Sequence, residues 1–337
     1  MADAPACILV VGGAGYIGSH MVKLLCARGF RVHVADDLSS GHADAVAADA
    51  QLHVGDIGDA SFVGPLLDSL RPAAVMHFAS SIQVGESMVD PAKYYRNNVT
   101  ATLVLLDAMR ASGVTRFIFS STAAIFGDPQ YLPIDEAHPK LPINPYGRTK
   151  WMVEQVLEDY DRAYGLRSVC LRYFNAAGAD ADGELGERHD PETHLIPLIL
   201  QAAAGRRSHI GIFGDDYPTA DGTCIRDYIH IEDLCSAHLQ ALEQLLAGGA
   251  SARYNLGNGN GFSVRQVIEA VRRVTAREVP VKVSPRREGD PPSLVADAAR
   301  ARQALDWQPR FADLDTIVAH AWAWERQHFG ANEGTGG

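Results

Sequence analysis

The chain reads as an α/β protein, a doubly wound parallel sheet of the Rossmann type with a smaller C-terminal lobe. Three observations predict it. Apolar, strand-like runs alternate with helical patterns through the first half of the sequence, the pattern of a parallel sheet covered on both faces. The first run, 8–11, passes at once into glycines at 12, 15 and 18 and then into a helical stretch. Past about residue 175 the segments shorten, and longer polar loops appear at 178–191 and 214–222.

In chain order, strands are expected at 8–11, 31–35, 51–54, 74–78, 116–120 and 168–172, and helices at 21–28, 63–70, 98–111 and 148–164. Residues 1–175 form the dinucleotide-binding part, 176–330 a second lobe interleaved with it, and the Gly-rich 331–337 a disordered tail. At 337 residues with 47% apolar composition the chain has material for a sizeable core. A net charge of −11 argues against a nucleic-acid surface. The first seven residues are too short and polar for a signal peptide, and no apolar run approaches the ~20 residues of a membrane span. Five scattered cysteines without a C-x-x-C pair read as reduced thiols of a cytoplasmic protein. No metal site is expected.

The turn from the first strand into Gly12-Gly13-Ala14-Gly15-Tyr16-Ile17-Gly18-Ser19-His20 carries the first chemical signal. A strand that turns sharply into a helix presents unpaired backbone N–H groups and the positive end of the helix dipole at one spot, which suits a pyrophosphate. The second strand ends in Asp36-Asp37, about 20 residues past the glycines, where a carboxylate accepts from the adenosine ribose and repels a 2′-phosphate. NAD is therefore favoured over NADP. The alternative for Asp36 is to cap a turn with Asp37 and Ser39. Asp56, after the third strand, and Ser120-Ser121-Thr122 converge on the same crevice beyond the strand ends.

Tyr146 and Lys150 lie four apart at a helix start, after Pro142 and Pro145, and so share one face. A phenol is a useful base near neutral pH only if its pKa falls well below ~10. A nearby ammonium and a positive nicotinamide ring would both favour the phenolate. Thr122 offers a hydroxyl able to bridge the phenol and a sugar hydroxyl; its alternative is to cap the loop after its strand.

With these segments in place, the chain resembles the extended short-chain dehydrogenase/reductase superfamily and, within it, the UDP-glucose 4-epimerases. The resemblance runs from Gly12 to about Trp324. It rests on the glycine segment, Val84-Gly85-Glu86-Ser87, Tyr94-Tyr95-Arg96-Asn97-Asn98, Phe119-Ser120-Ser121-Thr122-Ala123-Ala124 and Pro145-Tyr146-Gly147-Arg148-Thr149-Lys150. Further on it rests on Leu171-Arg172-Tyr173-Phe174-Asn175, 216–223, 226–230 and Arg286-Arg287-Glu288-Gly289-Asp290. The resemblance implies tightly held NAD, touched by the glycine loop with Tyr16 and Ile17, by Asp36, Asp37, Asp56 and Ile57, and by Phe78, Ala79, Asn98 and Phe174. It implies Tyr146 as the base, Lys150 on the nicotinamide ribose and Thr122 as an assistant. It implies that Asn175, Arg226 and Arg287 receive the diphosphate of a UDP-sugar, with Asp290 on the uridine ribose and Phe213 near the uracil. His194, Leu195 and Leu294 then lie near the sugar, His194 through its backbone. The activity implied is inversion at C4 of a UDP-hexose through a 4-keto sugar, in a homodimer paired through a four-helix bundle.

Departures from the family pattern are Val11 for a threonine, Ile82 for a lysine, Thr122 for a serine, Phe126 for a tyrosine and His194 for an asparagine. Leu294 is intermediate in bulk, so N-acetylated sugars and pentoses stay open as alternative substrates. A 4,6-dehydratase or a decarboxylating relative would carry an acid just after the threonine, where Ala123-Ala124 stand. A plain alcohol dehydrogenase would release its cofactor, against the UDP-site motifs. A non-catalytic dinucleotide sensor is disfavoured by the intact Thr122, Tyr146 and Lys150.

Overall fold

The structure, a computed structural model, describes residues 5–287 and 290–330; the tail at 331–337 lies outside the described residues. Six strands alternate with helices through the first half: β1 (Cys7–Val11), β2 (Arg31–Asp36), β3 (Gln51–Val54), β4 (Ala74–His77), β5 (Arg116–Thr122) and β6 (Arg167–Tyr173). The helices there are α1 (Tyr16–Ala27), α2 (Ala60–Leu70), the short α3 (Val84–Val89) and α4 (Pro91–Tyr94), α5 (Ala101–Ala111) and α6 (Pro145–Tyr164). Then follow β7 (Asn175–Ala177), α7 (Leu195–Ala203), β8 (Ile210–Phe213), β9 (Ile225–His230), α8 (Ile231–Leu246), β10 (Ala252–Leu256) and β11 (Gly261–Ser263). The chain ends with α9 (Val264–Thr275), β12 (Val281–Ser284), β13 (Ser293–Leu294), α10 (Ala299–Leu305) and α11 (Leu314–Phe329).

The main sheet has seven strands in the order β10-β6-β5-β4-β1-β2-β3, every neighbouring pair parallel. It is the doubly wound α/β fold that the sequence predicts. In β1, Ile8 and Val10 face the core against α1 and α8, while Leu9 and Val11 face the core against α2 and α5. Both faces are covered, so the strand is apolar throughout rather than alternating. The seventh strand, β10, is not among the expected ones. It pairs with β6 from far along the chain, and α8 and α10 pack on the same face, so the later residues complete the first sheet. A smaller core gathers α7, α9 and α11 beside the short sheets of β11-β9-β13, with β7 on β9, and of β12-β8.

Element boundaries differ from expectation mainly where caps decide. Helix α6 starts at Pro145, capped by Asn144, whose side chain accepts from the Gly147 N–H at 2.8 Å. Tyr146 is therefore already in its first turn. The expected helix over 98–111 is broken: 95–100 is a π turn and only α5 is regular. Leu106 and Leu157 enter the core, whereas Met152 is 41% exposed. Among the described residues no helix is long and apolar enough to cross a membrane.

One buried ion pair locks this frame. Glu154 on α6 is 0% exposed and Arg172 on β6 is 1% exposed; they meet at 2.6 Å, and Ser121 of β5 donates to the same carboxylate at 2.6 Å. A buried pair broken on one side leaves an uncompensated charge. Glu154→Gln should therefore lower unfolding stability by about 3–5 kcal/mol in urea denaturation. A loss below about 1 kcal/mol would mean that Arg172 finds another counter-charge.

Candidate active site

The glycine loop is shaped by contact rather than by flexibility alone. A Cβ on Gly18 would lie 2.0 Å from the Gly12 carbonyl oxygen, so α1 can press onto the end of β1 only without a side chain there. At Gly15 the nearest protein atom to such a Cβ is 3.5 Å away, so that side of the loop is open. Gly15 begins α1 with no side-chain cap, and no acidic residue stands in its first turn. The orphan N–H groups and the positive helix end stay available for an anion. These residues fit the diphosphate of a dinucleotide.

Asp36 lies at the end of β2, and its two carboxylate oxygens accept from the Ala14 N–H and the Leu38 N–H, both at 2.9 Å. The turn-capping role and a place at the glycine loop thus coincide. Burial pushes its carboxyl up, and those two N–H groups oppose the rise. Asp37 caps its own turn through Ser39. Asp56 likewise binds the Gly58 N–H at 2.7 Å, at the exposed end after β3, with Ile57 buried beside it. Phe78 and Ala79 form the turn after β4, both N–H groups donating to Val11 O.

Asn98 has a structural part in the protein itself. It is buried, and its amide spans Ser81 and the Thr149 hydroxyl while its oxygen accepts from the Ser81 N–H. Its polar atoms bind protein, and it fastens the 79–81 turn to α6. The π turn around it aims it inward. Sequence pattern does not disclose this, because a π turn has no periodic signature.

At the sheet's centre, Thr122 ends β5 and Tyr146 stands at the start of α6. Helix and strand end can approach because a Cβ on Gly147 would lie 2.4 Å from the Ala124 carbonyl oxygen. Burial pushes the Tyr146 phenol up, and the Thr122 side chain beside it opposes the rise. Thr122 Oγ1 accepts from the Ala124 N–H at 3.1 Å, the capping role named as its alternative.

Lys150 sits one turn below Tyr146, donating to Ser80 Oγ at 2.7 Å and to the Ser120 carbonyl at 2.8 Å. Burial drives its ammonium down to about 7, against the pull of Glu154. Ser80 was not singled out from sequence; Ser120 was named there only as part of the Ser-Ser-Thr strand end.

Residues of the second lobe meet across short strands. Arg226 on β9 is register partner to Leu294 on β13, and Asn175 on β7 to Tyr228 on β9. Arg226 forms an ion pair with Asp290, and the Arg287 guanidinium lies 3.8 Å from the ring centre of Phe213 at the end of β8. Phe174 and Leu294 pack against Ala123, Ile125 and Phe126, which joins the Thr122 turn to this lobe. Leu195 opens α7, and His194 precedes it with its side chain turned to Glu187. Burial alone would lower His194, but the Glu187 and Glu192 carboxylates beside it lift it to about 10. Glu187, His189 and Glu192 around it were missed from sequence.

Residues 8–257 match the NAD dependent epimerase/dehydratase family. A UDP-glucose 4-epimerase of Rhizobium meliloti is 51% identical over 327 residues, 97% of this chain and 98% of that protein. The solved UDP-glucose 4-epimerase of Brucella ovis in complex with NAD superposes with a TM-score of 0.93 at 52% identity, covering 96% of this chain and 98% of that one. The UDP-glucose-4-epimerase of Stenotrophomonas maltophila, with bound NAD and formylated UDP-arabinopyranose, gives a TM-score of 0.92 at 39% identity, over 96% and 98% of the two chains. Likeness of this extent, in sequence and in fold together, means that the chain belongs to the NAD dependent epimerase/dehydratase family.

Proposed function

We propose that this chain is an NAD-dependent 4-epimerase of a UDP-hexose, interconverting UDP-glucose and UDP-galactose. The observation that carries the reading is the placing of Tyr146 and Lys150 one helical turn apart at the start of α6, Lys150 held on the Ser120 carbonyl of the strand that ends in Thr122, at the same ends of the strands as the uncapped glycine loop. When bound, NAD supplies the hydride acceptor and donor for C4 of the sugar. Tyr146 takes the proton of the sugar 4-hydroxyl, and Thr122 steadies both oxygens. Lys150 holds the nicotinamide ribose and adds positive charge below the phenol.

Arg226 and Arg287 grip the diphosphate, a geometry that suits guanidinium; Arg226 exchanges Asp290 for phosphate, which frees that carboxylate for the uridine ribose. Phe213 flanks the uracil, and Asn175, His194, Leu195 and Leu294 border the sugar. Inversion needs the hexose to present its two faces in turn to one base. A ring with few contacts on an anchored nucleotide allows that. The alanines after Thr122 offer no acid for an elimination. Leu294 leaves room for a second reading, a 4-epimerase of N-acetylated or pentose UDP-sugars, and one solved relative carries a UDP-pentose derivative.

The reading includes a homodimer. Leu103 on α5, Met152 and Val156 on α6, and Val99 in the π turn before α5 are left partly open by the sheet, and a second copy would cover them. The free cysteines fit a reducing, cytoplasmic setting.

Incubation with UDP-galactose, UDP-N-acetylgalactosamine and a UDP-pentose, without added NAD, tests the reading when C4 inversion is followed by NMR. Inversion of UDP-galactose is expected; none with any sugar, even with NAD supplied, would overturn it. Tyr146→Phe should cut turnover by about 10²–10⁴-fold and leave NAD bound; near-wild-type activity would remove Tyr146 from the base role. In the NAD-free chain the Tyr146 phenol should stay protonated beyond its ordinary value near 10. Ultraviolet difference titration against Tyr146→Phe checks this. A phenolate already present at neutral pH would show that the protein alone ionises it.

A further inference from the structure

We propose that Glu187, His189, Glu192 and His194 form a site for one divalent transition-metal cation, zinc fitting best. The four residues lie in the loop between β7 and α7 at the spacing Glu-x-His-x-x-Glu-x-His. One ligand atom from each comes within 4.8 Å of all the others. Four of the separations between neighbouring side chains are short, those to Glu192 involving both of its oxygens. His189 Nδ1 is 3.1 Å from Glu187 Oε1 and 3.7 Å from Glu192 Oε2, and His194 Nδ1 is 3.5 Å from Glu192 Oε1 and in direct contact with Glu187. Four bonds of about 2.0–2.1 Å in tetrahedral array have edges of about 3.3 Å. Small shifts would bring all four donors onto one ion.

Two further observations support the site. His189 Nδ1 is buried and makes no well-aligned hydrogen bond, although Glu187 Oε1 lies 3.1 Å from it and Glu192 Oε2 3.7 Å. Both carboxylates have side chains only 6% exposed. Among the described residues neither has a lysine or arginine partner. Arg188, between them in sequence, turns away to Asp44. Buried carboxylates need compensating charge; here only the two imidazoles stand beside them, and a divalent ion held by all four groups would supply that charge with the imidazoles neutral.

The surroundings hold the donors in place. Glu192 Oε1 accepts from the N–H groups of Thr193 and His194 at 2.7 and 2.8 Å, which fixes the carboxylate. The Glu187 carbonyl accepts from Trp324 Nε1. His189 meets the ring of Tyr16 edge-on at 6.2 Å, and Tyr16 donates to the Gly178 carbonyl at 2.7 Å. The ion would fasten the loop that runs from Gly178 to the start of α7 and brace the first residue of α1 from behind. Its part is structural. Mixed imidazole and carboxylate donors at these separations favour zinc over magnesium or calcium, which take more oxygens at other geometries.

The test uses the purified full-length chain, treated with a chelator, dialysed, and then titrated with zinc chloride by calorimetry, with metal content read by mass spectrometry. About one zinc per chain and a higher melting temperature on zinc addition are expected. Glu192→Gln and, as a milder change at a half-exposed position, His194→Asn should each lose the zinc and the thermal shift. Cobalt(II) should give the visible bands of a four-coordinate site in the wild type and not in Glu192→Gln. Zinc below about a tenth of an equivalent after titration, or equal binding by both variants, would overturn the proposal and leave an ion-pair cluster. Binding of magnesium or calcium in preference to zinc would overturn it as well.

Discussion

The contact on which the site depends is the buried Glu154–Arg172 pair. Glu154 sits one turn beyond Lys150 on α6, Arg172 lies on β6, and Ser121, next to Thr122, joins from β5. Three elements are therefore pinned at one point directly under the reacting groups. Such pairs add little net stability compared with a well-packed apolar alternative. Their worth here is geometric: they fix the rotation of α6 about its axis and hence where Tyr146 and Lys150 point.

The electrostatics of the crevice follow from burial. Tyr146 is pushed up and Lys150 down to about 7, so both groups lean towards their uncharged forms. Glu154 restrains this for Lys150 and Thr122 restrains it for Tyr146. A cationic nicotinamide ring would tilt the phenol the other way. On the proposed reading, ionisation of the Tyr146 phenol is thus coupled to occupancy of the cofactor site, rather than being set permanently by its neighbours.

Much of this was legible from the sequence because local chemistry and tertiary role agree. The run 8–11 is apolar because both of its faces are covered, and Gly18 is glycine because Gly12 touches it. Tyr146 and Lys150 sit at helical spacing after a proline. What escaped reading depends on distant partners. Nothing near 252–256 says that it pairs with β6, and nothing in the Asn98 segment says that its amide is spent on Ser81 and Thr149. The four residues from Glu187 to His194 lie in a loop with no periodicity, where only the folded path reveals that their ligand atoms converge. Asp36 shows the limit of choosing between alternatives, since it caps a turn and meets the glycine loop at once.

The late return of β10 has a consequence for how the molecule is made. Until residues 252–256 leave the ribosome, β6 is the outermost strand of an unfinished sheet, and α8 covers a face that lacks its last strand. Its free edge carries unsatisfied backbone groups that invite mispairing. A nascent chain stalled after the sixth strand would hold a nearly complete cofactor fold with one sticky side. Closure of that side by a distal segment makes the first and last thirds of the polypeptide stand or fall together.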